Sequence, residues 1–477
     1  MGPPSTRAVT STMDLRDYAR CDGVALAKLI ANGEVRADEV LDAAYRAVEA
    51  VNPRVNAVVE LYEPSTLARE IRTDSPFAGV PSLRKDIHSE AGRRTEYGSR
   101  VGRGLVARAD GEVVARMKDA GVRFIGRSAT SELALYTTTE TDLFGATRNP
   151  WDLRKSVGGS SGGAAAAVAA GAVPFADASD AGGSIRIPAA CCGLVGLKPS
   201  RTVVVPAVSD ADLNENTQLI VARSVRDVLA MTRALEPPWE PREAVPLKVA
   251  VSNDPWEPRS SLDPQIAKAV DEVVAIVGER ALSVESARPR YDAEDYWDSM
   301  LTRLAIEMHR ECRALARATA QTLSEDLVEP VTWMYVEEGA RRGPGELERA
   351  LSQRDRVVRA VREFFARYDL LITPTLQVLV PDLGMAGGHS AVASAREHLL
   401  MAENVAPGLA LFNMTGNPAL TVPTGLSRDG LPIGVQLVGR VGDDELLLEL
   451  ASTLEERLPW RQRTPATHVV PGREWPG

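Results

Sequence analysis

The sequence is poor in the two residue types that build most metal and redox sites. Its 477 residues include four cysteines and five histidines. Cys191 and Cys192 are adjacent and Cys21 and Cys312 stand alone, a spacing that no zinc or iron–sulfur motif uses. The histidines are scattered along the chain. These absences argue against a metal site and indicate reduced thiols in a cytoplasmic protein.

Long apolar segments are missing as well. No stretch reaches the roughly 18 apolar residues that a membrane span needs. Residues 1–6 (MGPPST) lack the apolar segment of a secretory signal, and residues 1–12 are predicted to be disordered. The formal net charge is -10, which disfavours nucleic acid or an anionic membrane as a partner.

What the chain does contain is enough apolar sequence for a large core. Hydrophobic residues make up 44% of it. Apolar side chains spaced three and four apart predict helices at residues 22–31 and 37–51, and strand-like segments lie at 55–61 and 122–126. This alternation of helices and strands predicts an α/β fold with a mostly parallel or mixed sheet.

The predicted domain organisation is simple. Residues 13–477 are expected to form a single domain. A proline-rich stretch near residue 237 opens a variable, mainly helical segment that extends to about residue 366 and carries no catalytic motif.

One region rich in glycine, serine and alanine, residues 156–200, stands out. It contains the run GGSSGG at 158–163, an alanine-rich run at 164–170, and a second Gly-Gly-Ser that ends at Ser184. Alanine is the best intrinsic helix former, so the first glycine run leads into a helix N-terminus, where backbone N–H groups stabilise negative charge. This arrangement indicates a reactive loop rather than a flexible linker.

Two other motifs are alternatives for this region. The phosphate-binding Walker motif requires Gly-Lys-Ser/Thr, whereas Ala164 follows Gly163. Residues 159–163 do fit the G-x-S-x-G nucleophile elbow, with Ser161 as the nucleophile. That interpretation needs a later histidine as base, and none of the four stands in a local setting that marks it as one: His309, His389, His398 and His468.

The two serine sites taken together resemble the amidase signature family. A looser likeness extends over almost the whole chain. The residues that carry it are 158–163, Asp180, 182–189, 192–193 and 196–199, and further blocks outside this region are 79–81 with 85–86, 144–151 and 430–437. The resemblance implies an α/β/α sandwich around a large mixed sheet, and an amidase that hydrolyses linear or cyclic amide C–N bonds without metal or organic cofactor.

The family uses a Ser-cisSer-Lys triad, which the resemblance carries onto three residues here. Ser184 is the implied nucleophile that forms an acyl-enzyme, Ser160 the bridging serine after a cis peptide bond, and Lys85 the general base. A lysine accepts a proton only when it is neutral, so burial must lower its pKa from about 10.4 to about 7. The mainly apolar residues 77–83 before Lys85 allow such burial.

Further site residues follow from the same resemblance. The implied oxyanion hole consists of backbone N–H groups near Ala181, Gly182, Gly183 and Ser184, although family members commonly have threonine in place of Ala181. The implied supporting residues are Ser161, Ser179, Asp180 and Arg186. In the variable helical segment, the candidate substrate contacts are Tyr296, Trp297, Met300 and Trp333.

Three functions remain open at this point, with a small-molecule amide as the expected partner. The first is amide hydrolysis, which releases a carboxylate and an amine or ammonia. The second is an acyltransferase that uses the same acyl-enzyme, and the third is a catalytically inactive binding subunit. The sequence leaves open the acyl and amine parts of the substrate, the stereochemical preference, and whether the chain forms a homodimer.

Overall fold

The computed structural model describes most of the chain. The described residues are 13–67, 74–201, 215–235, 246–253 and 261–470. The segment 1–12, predicted to be disordered, lies outside them, as does most of the proline-rich stretch at 237–246. None of the helices within these ranges is both long and apolar enough to cross a bilayer.

The described residues form fourteen α-helices. Their bounds are α1 Leu15–Arg20, α2 Gly23–Ala31, α3 Ala37–Val55, α4 Glu112–Asp119, α5 Gly162–Ala169, α6 Arg186–Cys192, α7 Val225–Leu235, α8 Pro264–Gly278, α9 Ala293–Ala318, α10 Pro330–Ala340, α11 Pro344–Phe365, α12 Ala395–Val405, α13 Leu409–Thr415 and α14 Asp444–Arg457.

Thirteen strands lie between these helices in the same described ranges. Their bounds are β1 Val58–Leu61, β2 Pro81–Lys85, β3 Arg123–Ser128, β4 Glu140–Thr141, β5 Gly145–Ala146, β6 Phe175–Asp180, β7 Val195–Lys198, β8 Thr217–Ala222, β9 Leu247–Val251, β10 Ala281–Ser286, β11 Leu370–Pro374, β12 Ala419–Leu426 and β13 Pro432–Gly439.

The strands form one large sheet and two small ones. The large sheet has eight strands in the order β10-β9-β11-β13-β12-β7-β8-β6. Its β10, β9 and β11 run parallel, whereas the remaining neighbours pair antiparallel. A three-stranded sheet has the order β1-β3-β2, and β4 pairs with β5. The predicted α/β fold around a large mixed sheet is confirmed.

The chain between residues 51 and 58 differs from its prediction. The strand was expected to begin at residue 55, but α3 continues to Val55 and β1 begins at Val58. Asn56 ends the helix with a φ of 50° and donates its backbone N–H to the Asn52 carbonyl. The Asn52 side chain then accepts the N–H groups of Ala57 and Val58, so the exit from the helix is set by asparagine hydrogen bonds rather than by apolar periodicity.

The helix α5 lies at the centre of the molecule and is buried along its whole length. It contacts β1, β2, β3, β6 and β8 as well as two other helices, so it joins the large sheet to the three-stranded one. Its small side chains permit this packing. A Cβ on Gly163 would lie 2.3 Å from the backbone nitrogen of Ala129, which only glycine avoids. The loop before α5 is therefore held between the two sheets.

Candidate active site

Lys85 occupies the last position of β2, and its side chain is fully buried. Its Nζ donates to Ser160 Oγ at 2.8 Å and to Ser179 Oγ at 3.1 Å. Asp86, the next residue, pairs instead with Arg127, at 2.5 Å. The structure thus brings Lys85 against two hydroxyl groups rather than against a carboxylate.

Burial determines the protonation of this lysine. It lowers the pKa of Lys85 to about 7, although the negative charges of Asp177 and Asp180 act in the opposite direction. Near neutral pH, a substantial fraction of Lys85 is therefore the free amine, which can accept a proton from a neighbouring hydroxyl.

Ser160 lies in the loop that leads into α5. The peptide bond between Gly159 and Ser160 is cis, as the resemblance implies. Gly159 cannot be replaced without a shift of its surroundings, because a Cβ there would lie 2.5 Å from the carbonyl oxygen of Thr138. The tight packing around this loop holds the Ser160 hydroxyl against Lys85.

Ser184 lies in the short connection between β6 and α6, and it is half-buried. It borders a cavity of about 360 Å³ together with Ser160 and Ser179. Its backbone carbonyl accepts the N–H of Ser161 at 3.3 Å, which joins the two serine-bearing loops. Ser160 and Ser184 therefore border the same cavity, and the Lys85 amine contacts Ser160.

The four residues of the predicted oxyanion hole are not equivalent. The N–H of Gly183 donates to Asp180 Oδ1 at 2.7 Å, and Gly183 does not border the cavity. Ala181, Gly182 and Ser184 do border it. Their backbone N–H groups make no hydrogen bond with any described residue, so three donors remain for an oxyanion and Gly183 has a structural role.

A buried ion pair holds the loop that carries Ser184. The Arg186 guanidinium donates two hydrogen bonds to the Asp180 carboxylate, both at 2.9 Å, and both side chains are fully buried. Arg186 also donates to Asn413 and Gln436, each at 2.7 Å. Burial alone would raise the pKa of Asp180, but the charge and hydrogen bonds of Arg186 outweigh it and hold the pKa below its ordinary value.

We expect Arg186→Leu to lower the free energy of unfolding by about 3–5 kcal/mol, because it leaves the Asp180 carboxylate buried without its cation. Urea titration followed by circular dichroism measures the loss. The matched control is Arg341→Ala, which breaks an ion pair to Glu337 whose side chains are 66% and 48% exposed and should cost no more than about 1 kcal/mol. Equal losses in the two variants would contradict the structural role given to Arg186.

Ser161, the nucleophile of the alternative motif, has a different environment. Its side chain is fully buried, its hydroxyl donates to the Ser179 carbonyl at 3.2 Å, and it accepts the Ser179 N–H at 3.3 Å. It does not border the cavity, and no histidine in the described ranges makes a hydrogen bond with it. Ser161 therefore ties the two loops together.

The four candidate substrate contacts separate in the structure. Met300 borders the cavity. Tyr296 and Trp297 are buried in an apolar cluster, and Trp333 packs against the same cluster without reaching the cavity. Tyr296 and Trp297 lie on α9 one helical turn before Met300, the first residue of that helix that borders the cavity. Their side chains therefore fill the core instead.

No sequence motif marks His88 or Asp177, yet both lie beside Lys85. His88 Nδ1 is 2.5 Å from Asp177 Oδ2, and the same carboxylate oxygen accepts the Lys85 backbone N–H at 3.1 Å. His88 also borders the cavity, and its Nε2 is buried without a partner among the described residues. The sequence signal for His88 is its position three residues after Lys85. Its pairing with Asp177 has no such signal, because Lys85 and Asp177 lie on strands of two different sheets.

Comparisons with known proteins agree with this geometry. A family model described as Amidase matches residues 39–448. Two 6-aminohexanoate-cyclic-dimer hydrolases are similar over 95% of this chain and 98% of their own: the protein of Pseudomonas sp. (strain NK87) is 35% identical, and that of Paenarthrobacter ureafaciens is 36% identical. A solved structure of 6-aminohexanoate cyclic dimer hydrolase complexed with substrate superposes with a TM-score of 0.86 at 32% identity, over 94% of this chain and 99% of that one. The similarity extends over nearly the full length of all these chains.

Proposed function

The chain belongs to the amidase signature family and is an amidase that hydrolyses amide C–N bonds, and we propose that it does so through an acyl-enzyme on Ser184. One observation carries the proposal. The Lys85 amine is 2.8 Å from Ser160 Oγ, at the wall of the cavity that Ser184 also borders. A serine hydroxyl is a weak nucleophile and needs such a base to remove its proton.

The proposed reaction uses Ser160 as a proton relay. Ser184 Oγ attacks the amide carbonyl while its proton passes to Ser160, whose own proton passes to the neutral Lys85 amine. The resulting oxyanion accepts hydrogen bonds from the N–H groups of Ala181, Gly182 and Ser184, and each such donor is worth about 100- to 1,000-fold in rate. Return of the proton through Ser160 releases the amine, and water then attacks the acyl-enzyme by the same relay.

The substrate we propose is a small amide whose bulk is mostly apolar. A cavity of about 360 Å³ is at the small end of the range for ligand sites. Leu135, Met300, Leu304 and Met308 supply apolar side chains to its wall. The names of the relatives favour short linear or cyclic amides of ω-amino acids as the first compounds to assay.

Labelling with a serine-directed fluorophosphonate tests the proposed nucleophile. Peptide mapping by mass spectrometry should find the adduct on Ser184, and the adduct should be lost when Lys85 is replaced by methionine. An adduct on Ser161 would instead support the alternative nucleophile. Absence of any adduct in the unmodified enzyme would contradict the acyl-enzyme.

The pH dependence of the reaction follows from the Lys85 environment. Because only the neutral amine accepts a proton, and burial lowers the pKa of Lys85 to about 7, kcat/KM for an uncharged amide should rise with pH through about 7 and then level off. The measurement is kcat/KM between about pH 5.5 and 10. Asp177 and Asp180 are the charged groups that act on Lys85, and both favour its protonated form.

A second group near that pKa requires a control. Glu311 borders the same cavity, and burial raises its pKa to about 7. The rising limb should persist in Glu311→Gln with an uncharged substrate. If the limb disappeared in that variant, Glu311 rather than Lys85 would control the profile.

A further inference from the structure

One face of α9 forms a wall of the cavity. Its cavity-lining residues recur three and four positions apart, from Met300 to Glu311. This face extends for about 16 Å along the helix axis, at 1.5 Å per residue. Between Arg303 and Glu311, the wall carries the apolar side chains of Leu304 and Met308 beside that of Glu307.

The charged residue nearest the start of this wall already has a partner. Arg303 donates to Glu215 at 2.6 Å, and both side chains are nearly fully buried. Glu215 lies two residues before Thr217, which pairs with Asp180 in the large sheet. The Arg303–Glu215 pair therefore marks the end of the wall that is close to the Ser184 loop, and its charges neutralise each other.

Glu311 lies two helical turns further along, about 12 Å from Arg303 along the axis. It borders the cavity, and it makes no hydrogen bond or ion pair with any described residue. Burial alone raises the pKa of its carboxyl group. Burying a carboxylate without a cation costs free energy. A cation that enters the cavity would therefore be stabilised by the Glu311 carboxylate.

Tyr97 provides a second feature at the same place. Its side chain borders the cavity, and burial raises the pKa of its phenol, with the nearby Glu311 charge raising it further. A carboxylate next to a tyrosine ring is a favourable environment for an ammonium group, because the carboxylate accepts charged hydrogen bonds and the ring face attracts cations.

We propose that Glu311 determines substrate specificity by binding a protonated primary amine of the substrate, so that the enzyme prefers amides that carry an ammonium group across an apolar linker from the reacting carbonyl. The inference rests on the proposed function, because the distance is counted from the Ser184 end of the cavity. Leu304 and Met308 lie between the two ends, and their apolar side chains favour an apolar linker.

Two matched pairs of substrates test this preference. The first pair is 6-aminohexanamide and hexanamide, in which the amino group is on the acyl side. The second is N-(6-aminohexyl)acetamide and N-hexylacetamide, in which it is on the leaving side. Release of ammonia or acetate is followed with purified enzyme near pH 8, where both the substrate amine and a carboxylate are charged.

In the unmodified enzyme, at least one ammonium substrate should exceed its neutral partner in kcat/KM. In Glu311→Gln, that ratio should fall by about 10- to 100-fold, the range of a lost hydrogen bond to a charged group. The control is Glu307→Gln, one turn earlier on the same wall. Glu307 has an interaction partner of its own, so the ratio should stay within about twofold there.

Three outcomes would overturn the proposal: equal kcat/KM within both pairs, a ratio unchanged in Glu311→Gln, or the same decrease in Glu307→Gln. Melting temperatures of both variants show whether either has lost its fold, and Glu311→Asp, which keeps the charge, should retain part of the preference. Labelling of Ser184 reports separately on the nucleophile, so a failure of the preference can be told apart from a failure of the acyl-enzyme.

Discussion

Replacing Ser184 by alanine is expected to lower kcat/KM for any amide substrate by about 10⁴- to 10⁶-fold, the range found when a serine nucleophile is removed. The side chain borders the cavity and makes no hydrogen bond in the described structure, so its loss should disturb the fold little. The residual rate is measured by product release at high enzyme concentration. The melting temperature should remain close to that of the unmodified enzyme.

Ser161→Ala is the matched control for this experiment, since it removes a hydroxyl from the neighbouring loop. That hydroxyl bonds to the Ser179 backbone, so its loss should lower stability by about 1 kcal/mol and activity far less than the loss of Ser184. The opposite ranking of the two variants would return Ser161 to the role of nucleophile.

Replacing Lys85 by methionine should lower kcat/KM by roughly 10²- to 10⁴-fold, the usual contribution of a general base. Methionine keeps an unbranched chain in a fully buried site and removes the amine that contacts Ser160 and Ser179. The rising limb of the pH profile should disappear at the same time. The measurement is kcat/KM across the pH range, with the fold checked by circular dichroism.

The chain offers a control for this variant as well. Lys198 is also fully buried, and burial lowers its pKa to about 7, but its Nζ donates to the Pro199 carbonyl rather than to Ser160. Lys198→Met should therefore keep the pH limb. If the limb survived in Lys85→Met and vanished in Lys198→Met, the base would have been assigned to the wrong lysine.

The sequence predicted those parts of the molecule that depend on local patterns. The alanine run does form a helix, and the apolar residues before Lys85 do lead into a buried strand that ends at it. The strand-like segment predicted at 122–126 also overlaps β3. Short-range propensity and hydrophobic spacing determine these elements, so they could be found without a structure.

Other features depend on contacts between distant parts of the chain. His88 and Asp177 meet because β2 packs on β6, which no local pattern reveals. The Gly183 N–H is occupied because the Asp180 side chain is oriented to accept its hydrogen bond, and that orientation cannot be derived from the sequence. Tyr296 and Glu311 share one helix, yet only the second reaches the cavity, since its extent is set by the surrounding elements.

The central position of α5 affects which regions of the enzyme can accept substitutions during evolution. Backbone amides of a helix enclosed on all sides exchange with solvent only when large parts of the molecule open, so the loop that it anchors belongs to the most rigid region. The face of α9 that borders the cavity is half-buried at Met300, Leu304 and Glu311 and tolerates new side chains more readily. Substitutions there can alter which amide is accepted while the Lys85–Ser160 pair stays in place, which separates the evolution of substrate range from the preservation of the chemistry.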